Sequence, residues 1–185
     1  MEPVEVNAGR YYLRMLRADD RVDDRPAVLA AYGDPDTARW IPEYQVRTLE
    51  EATAYVRLRA QEWRDDQRCS WAVADPLTGE MLGEIGLKNL DFERREAAIA
   101  CWTHPGHRGK GIAAIAVGTA LRFGVSALGL LRIEYWHARG NDASARVAAK
   151  CGFQPFGVIP AATEVDGEPR DLVCYAYTVD EHVAR

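Results

Sequence analysis

The residues best placed to do chemistry lie in one short stretch, HPGHRGKGIAAIAVGTALRFG, at positions 104–124. Gly106, Gly109 and Gly111 alternate there with cationic or titratable side chains, ahead of an apolar run long enough for a helix. The first N–H groups of a helix lack partners and carry partial positive charge, so they bind phosphate when a glycine turn precedes them. Glycine also lets a ligand approach the backbone without a Cβ in the way. The stretch therefore predicts an anion cradle at a helix N-terminus.

Two familiar phosphate-binding motifs do not match this stretch. A P-loop requires Gly-x-x-x-x-Gly-Lys-Ser/Thr, but its first glycine falls on His104, and Gly111 replaces the Ser/Thr. The dinucleotide fingerprint Gly-x-Gly-x-x-Gly fails because Gly109-x-Gly111 is followed by Ala114. On the segment alone, the alternative to an anion cradle is a glycine turn that only caps a core helix.

Composition and charge narrow the class of protein. The 185 residues are 48% hydrophobic and 28% charged, which is typical of one globular domain, expected here over residues 1–185. A formal charge of −5 argues against a nucleic-acid binder, and no run of about 18 apolar residues is present to span a membrane. The start of the chain lacks the apolar core of a signal peptide, and the four cysteines show no Cys-x-x-Cys spacing. We therefore expect a cytoplasmic protein without a metal site or disulfides.

Strand and helix patterns alternate along the chain and predict the frame that holds the glycine loop. Strands are predicted at 10–17, 69–74, 80–88, 97–103, 131–137, 154–164 and 170–179. Helices are predicted from Asp24 to Gly33, after a capping box at Thr48, at 112–128 and at 141–152. The predicted fold is α/β (α+β), with a mixed, mostly antiparallel central sheet of about seven strands flanked by about four helices. Segments 33–44 and 89–96 are predicted as loops.

Two segments taken together resemble the signatures of the GNAT acyl-CoA N-acyltransferases. Residues 108–113 (RGKGIA) are similar to Arg/Gln-x-x-Gly-x-Gly/Ala. Residues 141–147 (NDASARV), followed by Gly152-Phe153, resemble the second signature, Asn-x-x-Ser with a following Gly-Phe. Their order and separation are similar to those of the RimJ/RimL-like branch, which acetylates protein N-termini and assorted small amines. The resemblance spans residues 10–178 and implies the GNAT fold.

The resemblance implies acetyl-CoA as co-substrate, with its diphosphate on the glycine loop. The donor-binding residues that it implies are Trp102, Thr103, His107, Arg108, Gly109, Lys110, Gly111, Ile112, Ala113, Asn141, Ser144 and Arg146. The strand that ends at Thr103 is expected to diverge from the strand at 131–137, leaving a gap for the pantetheine arm. Asn141 would hold a pantetheine amide, and a backbone N–H near Cys101 or Trp102 would face the thioester carbonyl.

The implied reaction is direct attack of a neutral primary amine on the thioester, without an acyl-enzyme. Ser144 would face the sulfur of CoA, either as the acid that protonates the leaving thiolate or only as a hydrogen-bond donor. Cys101 is a catalytic candidate through its backbone, since no Cys–His–Asn arrangement accompanies its thiol. A peptide α-amine has a pKa of about 8, against about 10.4 for lysine, so a weak base suffices for an N-terminal acceptor.

The general base is not assigned by the resemblance. Glu84 alternates with Leu82 and Gly86 on one strand face, where it could act as the base or serve only as an ion-pair partner. Glu134 and His137 lie on opposite faces of their strand, so at most one of them faces the cleft. Histidine is the side chain best suited to act as a base near neutral pH, so His137 is a candidate, and a purely structural role is its alternative.

The acceptor side is predicted from aromatic residues and from departures from the branch. Trp40, Trp102 and Glu84 are the candidate acceptor-binding residues, and core packing is the alternative for each tryptophan. Ribosomal-protein relatives often carry glutamates where this chain has Ala98 and Phe156. Their loss argues against a ribosomal substrate, and leaves a peptide or small-molecule amine as the acceptor. A non-catalytic acyl-CoA-binding or regulatory module is the second reading, and the resemblance leaves a homodimer open.

Overall fold

Within residues 1–179, which the computed structural model describes, the chain forms one eight-stranded sheet and five α-helices. The strands are β1 (Val6–Ala8), β2 (Tyr11–Arg14), β3 (Arg68–Ala74), β4 (Met81–Asp91), β5 (Glu96–Thr103), β6 (Arg132–Ala138), β7 (Gln154–Val165) and β8 (Glu168–Thr178). The helices are α1 (Arg25–Gly33), α2 (Pro35–Trp40), α3 (Leu49–Arg64), α4 (Ile112–Ser126) and α5 (Asp142–Lys150), with a 3-10 turn at Pro105–His107. The predicted fold class is confirmed.

Two short elements exceed the predicted numbers of strands and helices. α2 lies inside the segment predicted as a loop, where Pro35 opens the helix and the Asp34 carboxylate accepts the Thr37 N–H at 2.9 Å. β1 has three residues and pairs with β2, which is shorter than the strand predicted at 10–17. Elements of three to six residues are too short to show a hydrophobic period, so their patterns carried no signal.

The order of strands opens a gap in the middle of the sheet. The order is β1-β2-β3-β4-β5-β6-β8-β7, and β5–β6 is the one parallel pair among the described strands. Pairing between them stops after three positions, at Ala98 opposite Glu134, although both strands continue. The predicted divergence is therefore present, and backbone groups of residues 99–103 that point away from β4 have no strand partner in β6.

The sheet separates two apolar cores. α4 packs on one face, where Val117 contacts the cluster that holds Ile85. α1 and α3 pack on the other face, where Tyr55 and Trp102 are buried. Leu82, predicted on the same face as Glu84, packs instead with the α4-side core, because the β3–β4 register shifts by one residue there. No helix of residues 1–179 has the length and apolar character needed to cross a membrane.

Candidate active site

A cavity of about 610 Å³ runs through the gap between β5 and β6. Its mouth lies at the turn before α4, its middle between the diverging strands, and its far part under α1, α2 and α3. Of the predicted site residues, the cavity is lined by Trp40, Glu84, Cys101, Trp102, Thr103, His107, Arg108, Gly109, Gly111, Ile112, Ala113, Asn141, Ser144 and Arg146. The structure thus brings together residues that the sequence distributes over more than a hundred positions.

The turn before α4 presents unpaired backbone amides to the cavity. Gly109 and Gly111 have φ of 78° and 75°, the left-handed region that favours glycine, and Gly111 is the N-cap of α4 without a side-chain cap. Within residues 1–179, no hydrogen bond occupies the N–H groups of residues 108–114. A Cβ at Gly109 or Gly111 would meet no atom within 4 Å, so both face open space. Unpaired amides that face open space at a helix N-terminus are the geometry that an anion cradle requires.

The side-chain charges around the cradle differ from those that the sequence suggested. The Arg108 guanidinium donates to the Asp34 carboxylate and, at 2.8 Å, to Thr37 Oγ1, so it ties the loop to α2. Lys110 does not line the cavity, and its Nζ lies 3.2 Å from His107 Nδ1. The His107 ring contacts Glu80 at 2.9 Å.

Two exposed cations of α5 supply charge at the cradle instead. Arg146 and Lys150 line the cavity beside Ala113 and Ala114, and they lie four residues apart on one helix face. Lys150 was missed in the sequence, where its i, i+4 spacing from Arg146 was the available signal. With the open amides, these side chains form a positively charged surface of the kind that can hold a phosphorylated ligand.

A chain of hydrogen-bonding groups crosses the gap between β5 and β6. Ser144 Oγ lies 2.8 Å from the Tyr135 hydroxyl, which lies 3.6 Å from Cys101 Sγ. Burial raises the pKa of Tyr135 above its usual value and the pKa of Cys101 to about 11, so the Cys101 thiol stays protonated at neutral pH. Asn141 Oδ1 accepts the Ser144 N–H at 3.0 Å, which starts α5 and leaves the Asn141 amide group able to donate. Tyr135 was not predicted.

Glu84 lies fully buried in the floor of the cavity, with both carboxylate oxygens occupied. Oε1 is 3.2 Å from Arg59 Nε and 3.2 Å from Arg68 Nη2. Oε2 accepts hydrogen bonds from the Tyr55 hydroxyl at 2.6 Å and from the Trp102 indole at 3.1 Å. An amine can reach this carboxylate only if one of these donors moves. The contacts therefore favour the ion-pair role that the sequence had left open for Glu84.

Aromatic rings form the wall above Glu84. Tyr32 contacts Tyr44, Tyr55 and Trp102, with ring centroids 5.4 to 6.0 Å apart, and its hydroxyl lies 2.9 Å from that of Tyr55. Trp40, on α2, lines the cavity and approaches the loop before α5. A Cβ added at Gly140 would lie 4.0 Å from the Trp40 ring. Tyr32 and Tyr55 were missed because aromatic residues in helices are equally consistent with core packing, and Tyr44 lies in a loop without a pattern.

His137 and Glu134 lie on opposite faces of β6, as the strand alternation predicted, and only His137 lines the cavity. His137 lines the cavity, is 8% exposed, and stacks on Tyr175 with ring centroids 5.4 Å apart. Its Nδ1 lies 3.0 Å from the Ala138 carbonyl oxygen. Glu134 does not line the cavity, and it accepts hydrogen bonds from Arg132 and from the Trp136 indole. Across residues 1–179, no group of three or more His, Cys, Asp or Glu side chains has a geometry that could hold a metal ion.

Comparison with known proteins identifies the family to which this chain belongs. The family model described as an acetyltransferase (GNAT) domain matches residues 10–154. The chain is 28% identical over 153 residues to the "uncharacterized N-acetyltransferase YoaA" of Bacillus subtilis, covering 83% of this chain and 86% of that protein.

Two solved structures of acetyltransferases have the same fold as this chain. RimJ of Mycobacterium smegmatis, in complex with CoA-disulfide, superposes with a TM-score of 0.83 at 26% identity and covers 97% of this chain and 89% of its own. Spermidine N-acetyltransferase of Vibrio cholerae, in complex with CoA and spermine, has the same fold, with a TM-score of 0.79 at 20% identity over 91% of this chain and 95% of its own. The chain belongs to the GNAT family of N-acetyltransferases, and its likeness to RimJ is consistent with the RimJ/RimL-like branch.

Proposed function

We propose that this chain transfers the acetyl group of acetyl-CoA directly to a primary amine in a ternary complex. The acceptor is a peptide N-terminus or a small-molecule amine. The observation that carries the proposal is the row of unpaired amides at residues 108–114. These amides line one end of a cavity whose other end is lined by aromatic side chains. A donor and an acceptor can therefore occupy the two ends of one cavity at the same time.

The donor end suits CoA, whose phosphates are anionic and whose pantetheine arm is extended. The amides of the cradle, with Arg146 and Lys150, are placed to bind the phosphates. Backbone groups of residues 99–103 that lack a strand partner are placed to pair with an extended ligand in the gap. RimJ was solved with CoA-disulfide and spermidine N-acetyltransferase with CoA, and both have this fold, which supports the assignment.

The middle of the cavity holds the groups that would assist transfer. Acetyl-CoA supplies the activated acetyl thioester. An N–C bond forms, the C–S bond breaks, one proton leaves the amine and one reaches the thiolate. A backbone N–H near Cys101 or Trp102 is proposed to stabilise negative charge on the carbonyl oxygen, and such a donor typically contributes about 10²–10³ in rate. Ser144 is proposed to donate the proton to sulfur, with the Tyr135 hydroxyl at 2.8 Å holding it in position.

The acceptor end is proposed to bind the amine between Trp40 and Trp102, above the buried Glu84. Because the Glu84 oxygens already accept three hydrogen bonds and pair with the Arg59 guanidinium, we propose that Glu84 fixes Trp102 and Tyr55 in place rather than taking the proton itself. An α-amine, with a pKa of about 8, is partly neutral at physiological pH and needs only a weak base or water.

The test is release of free CoA thiol from acetyl-CoA with a panel of peptide and small-molecule amines. We expect thiol release that depends on the amine, and a mass increase of one acetyl group on the acceptor. Tight binding of CoA by calorimetry with no transfer to any amine would contradict the proposal and support a non-catalytic acyl-CoA-binding module.

Replacing Ser144 tests its assignment as the proton donor. We expect Ser144→Ala to lower kcat by about 10²-fold, at the lower end of what a positioned general acid contributes, while the Kd for acetyl-CoA changes less than threefold. Tyr135→Phe should give a smaller loss, since it removes only the group that orients Ser144. Equal losses in kcat and in affinity for Ser144→Ala would make Ser144 a binding residue only.

A further inference from the structure

Two basic side chains line the end of the cavity that the proposed function leaves unused. Arg68 on β3 and Lys88 on β4 are direct partners in the sheet register, and both line the cavity. Lys88 also pairs with Ala98, near the start of β5, whereas the glycine cradle follows the end of β5. A second cavity of about 460 Å³ begins at the same two side chains and extends outward. The basic pair therefore stands at the end of the acceptor pocket remote from the cradle.

The charge of Arg68 is already balanced within the protein. Its Nη2 lies 3.2 Å from Glu84, and its Nε lies 3.9 Å from Glu62. Arg59 contacts the same two carboxylates, at 2.8 Å for Glu62 and 3.2 Å for Glu84. Two guanidinium groups thus share two carboxylates. The Arg68 side chain lies over Gly86, where a Cβ would meet it at 3.1 Å, so the glycine leaves room for it beside Lys88.

Lys88 has no such partner. Among residues 1–179, its ammonium makes no hydrogen bond and has no carboxylate oxygen within 4.0 Å. Burial and the positive charge of Arg68 lower the pKa of Lys88, with a smaller contribution from Arg59, while Glu43 and Tyr44 raise it. Glu43 is exposed, and its carboxylate does not form an ion pair with Lys88. A half-buried ammonium at a cavity wall therefore lacks a counter-ion, and an anionic ligand would provide one through charge-assisted hydrogen bonds.

The sheet register sets the scale of the ligand. Glu84 lies opposite Trp102, where the amine is proposed to react, and Lys88 lies four residues further along β4. At about 3.3 Å per residue this is roughly 13 Å between the strand positions. The lysine side chain covers part of that distance, and an extended peptide of three residues spans about 10 Å. An anion two or three residues from the reacting amine would fit.

We propose that Lys88, with Arg68 beside it, binds an acceptor carboxylate that lies two or three residues from the reacting amine. The site then selects acidic peptides over polyamines. The carboxylate is either an acidic side chain near a protein N-terminus or the C-terminus of a short peptide, and both present the same group at the same distance. This inference rests on the proposed function, because it requires an amine acceptor in this pocket.

The experiment compares acceptors that differ only in one charge. The first pair is Ala-Ala-Asp-Ala-Ala-amide and Ala-Ala-Asn-Ala-Ala-amide, and the second is trialanine and trialanine amide. We expect kcat/KM to favour the acid at least tenfold in one of the pairs, and the pair that discriminates identifies the source of the carboxylate. In Lys88→Gln the ratio should fall below threefold. The control Arg94→Gln removes an exposed cation of the β4–β5 turn and should keep the wild-type ratio.

The outcomes separate the two proposals. Three results would each overturn the Lys88 assignment and leave the proposed function standing. The first is transfer at equal rates to both members of each pair, and the second is a ratio that stays at its wild-type value in Lys88→Gln. The third is a preference for spermidine over every peptide. No thiol release with any amine overturns the proposed function, and the inference fails with it. Calorimetry with CoA shows that the Lys88→Gln protein is folded, since we expect its Kd to stay within twofold of wild type.

Discussion

Gly111→Trp is expected to weaken CoA binding at least 100-fold while the protein remains folded. The position faces open space, since a Cβ there meets nothing within 4 Å, so an indole fits sterically but fills the cradle that the amides line. The left-handed φ of 75° costs a non-glycine residue about 1–2 kcal/mol. For a chain of this size that cost corresponds to a fall in Tm of roughly 2–8 °C. Isothermal titration calorimetry with CoA and a thermal melt measure the two effects separately.

Gly9→Trp is the matched control for this variant. Gly9 lies in the turn between β1 and β2, has a φ of 73°, and a Cβ there also meets nothing within 4 Å. A tryptophan at this position must also adopt a left-handed φ, but it lies outside the cavity. We therefore expect the same fall in Tm with unchanged affinity for CoA. Unchanged affinity in Gly111→Trp, or an equal loss in both variants, would remove the basis for placing the diphosphate on these amides.

Glu84→Gln is expected to destabilise the fold by about 3–5 kcal/mol, the usual cost of breaking a buried ion pair. The side chain is 1% exposed, and its charge offsets the guanidinium groups of Arg59 and Arg68, which are themselves buried. Glutamine keeps the shape but directs an N–H₂ group at cationic donors. At roughly 2–4 °C per kcal/mol the Tm should fall by roughly 6–20 °C. A thermal melt followed by circular dichroism measures it.

The same variant distinguishes the two roles considered for Glu84. A general base would lose turnover on conversion to glutamine while the Tm stayed near that of wild type. An ion-pair anchor would lose stability first, with activity falling because the ion pairs with Arg59 and Arg68 that hold the floor of the cavity are lost. Asp91→Asn is the surface control, since Asp91 pairs with an exposed Arg94 at 3.9 Å and such pairs contribute less than about 1 kcal/mol. A stable but inactive Glu84→Gln protein would restore the base assignment.

The local features of the donor site were predictable because neighbouring residues determine them. The glycine turn, the N-terminus of α4 and the Asn141 cap each depend on backbone conformations set within about four residues. The strand before the turn is apolar on both faces, which is typical of a strand inside a covered sheet, and β5 lies between β4 and β6. The length of α2 shows the limit of such patterns, since six residues carry too little periodicity to be read.

The acceptor site depended on pairings that no local pattern contains. The partners of Glu84 come from α3, β3 and β5, and Arg108 reaches back to Asp34, which precedes it by 74 residues. Strand register decides that Lys88 stands beside Arg68 and that Leu82 turns to the other core.

The sequence by itself determined the family, the order of the longer elements and the glycine turn before α4, because each follows from contiguous residues and their backbone preferences. Only the tertiary structure decided which charges meet, because the energy of an ion pair depends on distance and burial that the whole sheet and its helices set together.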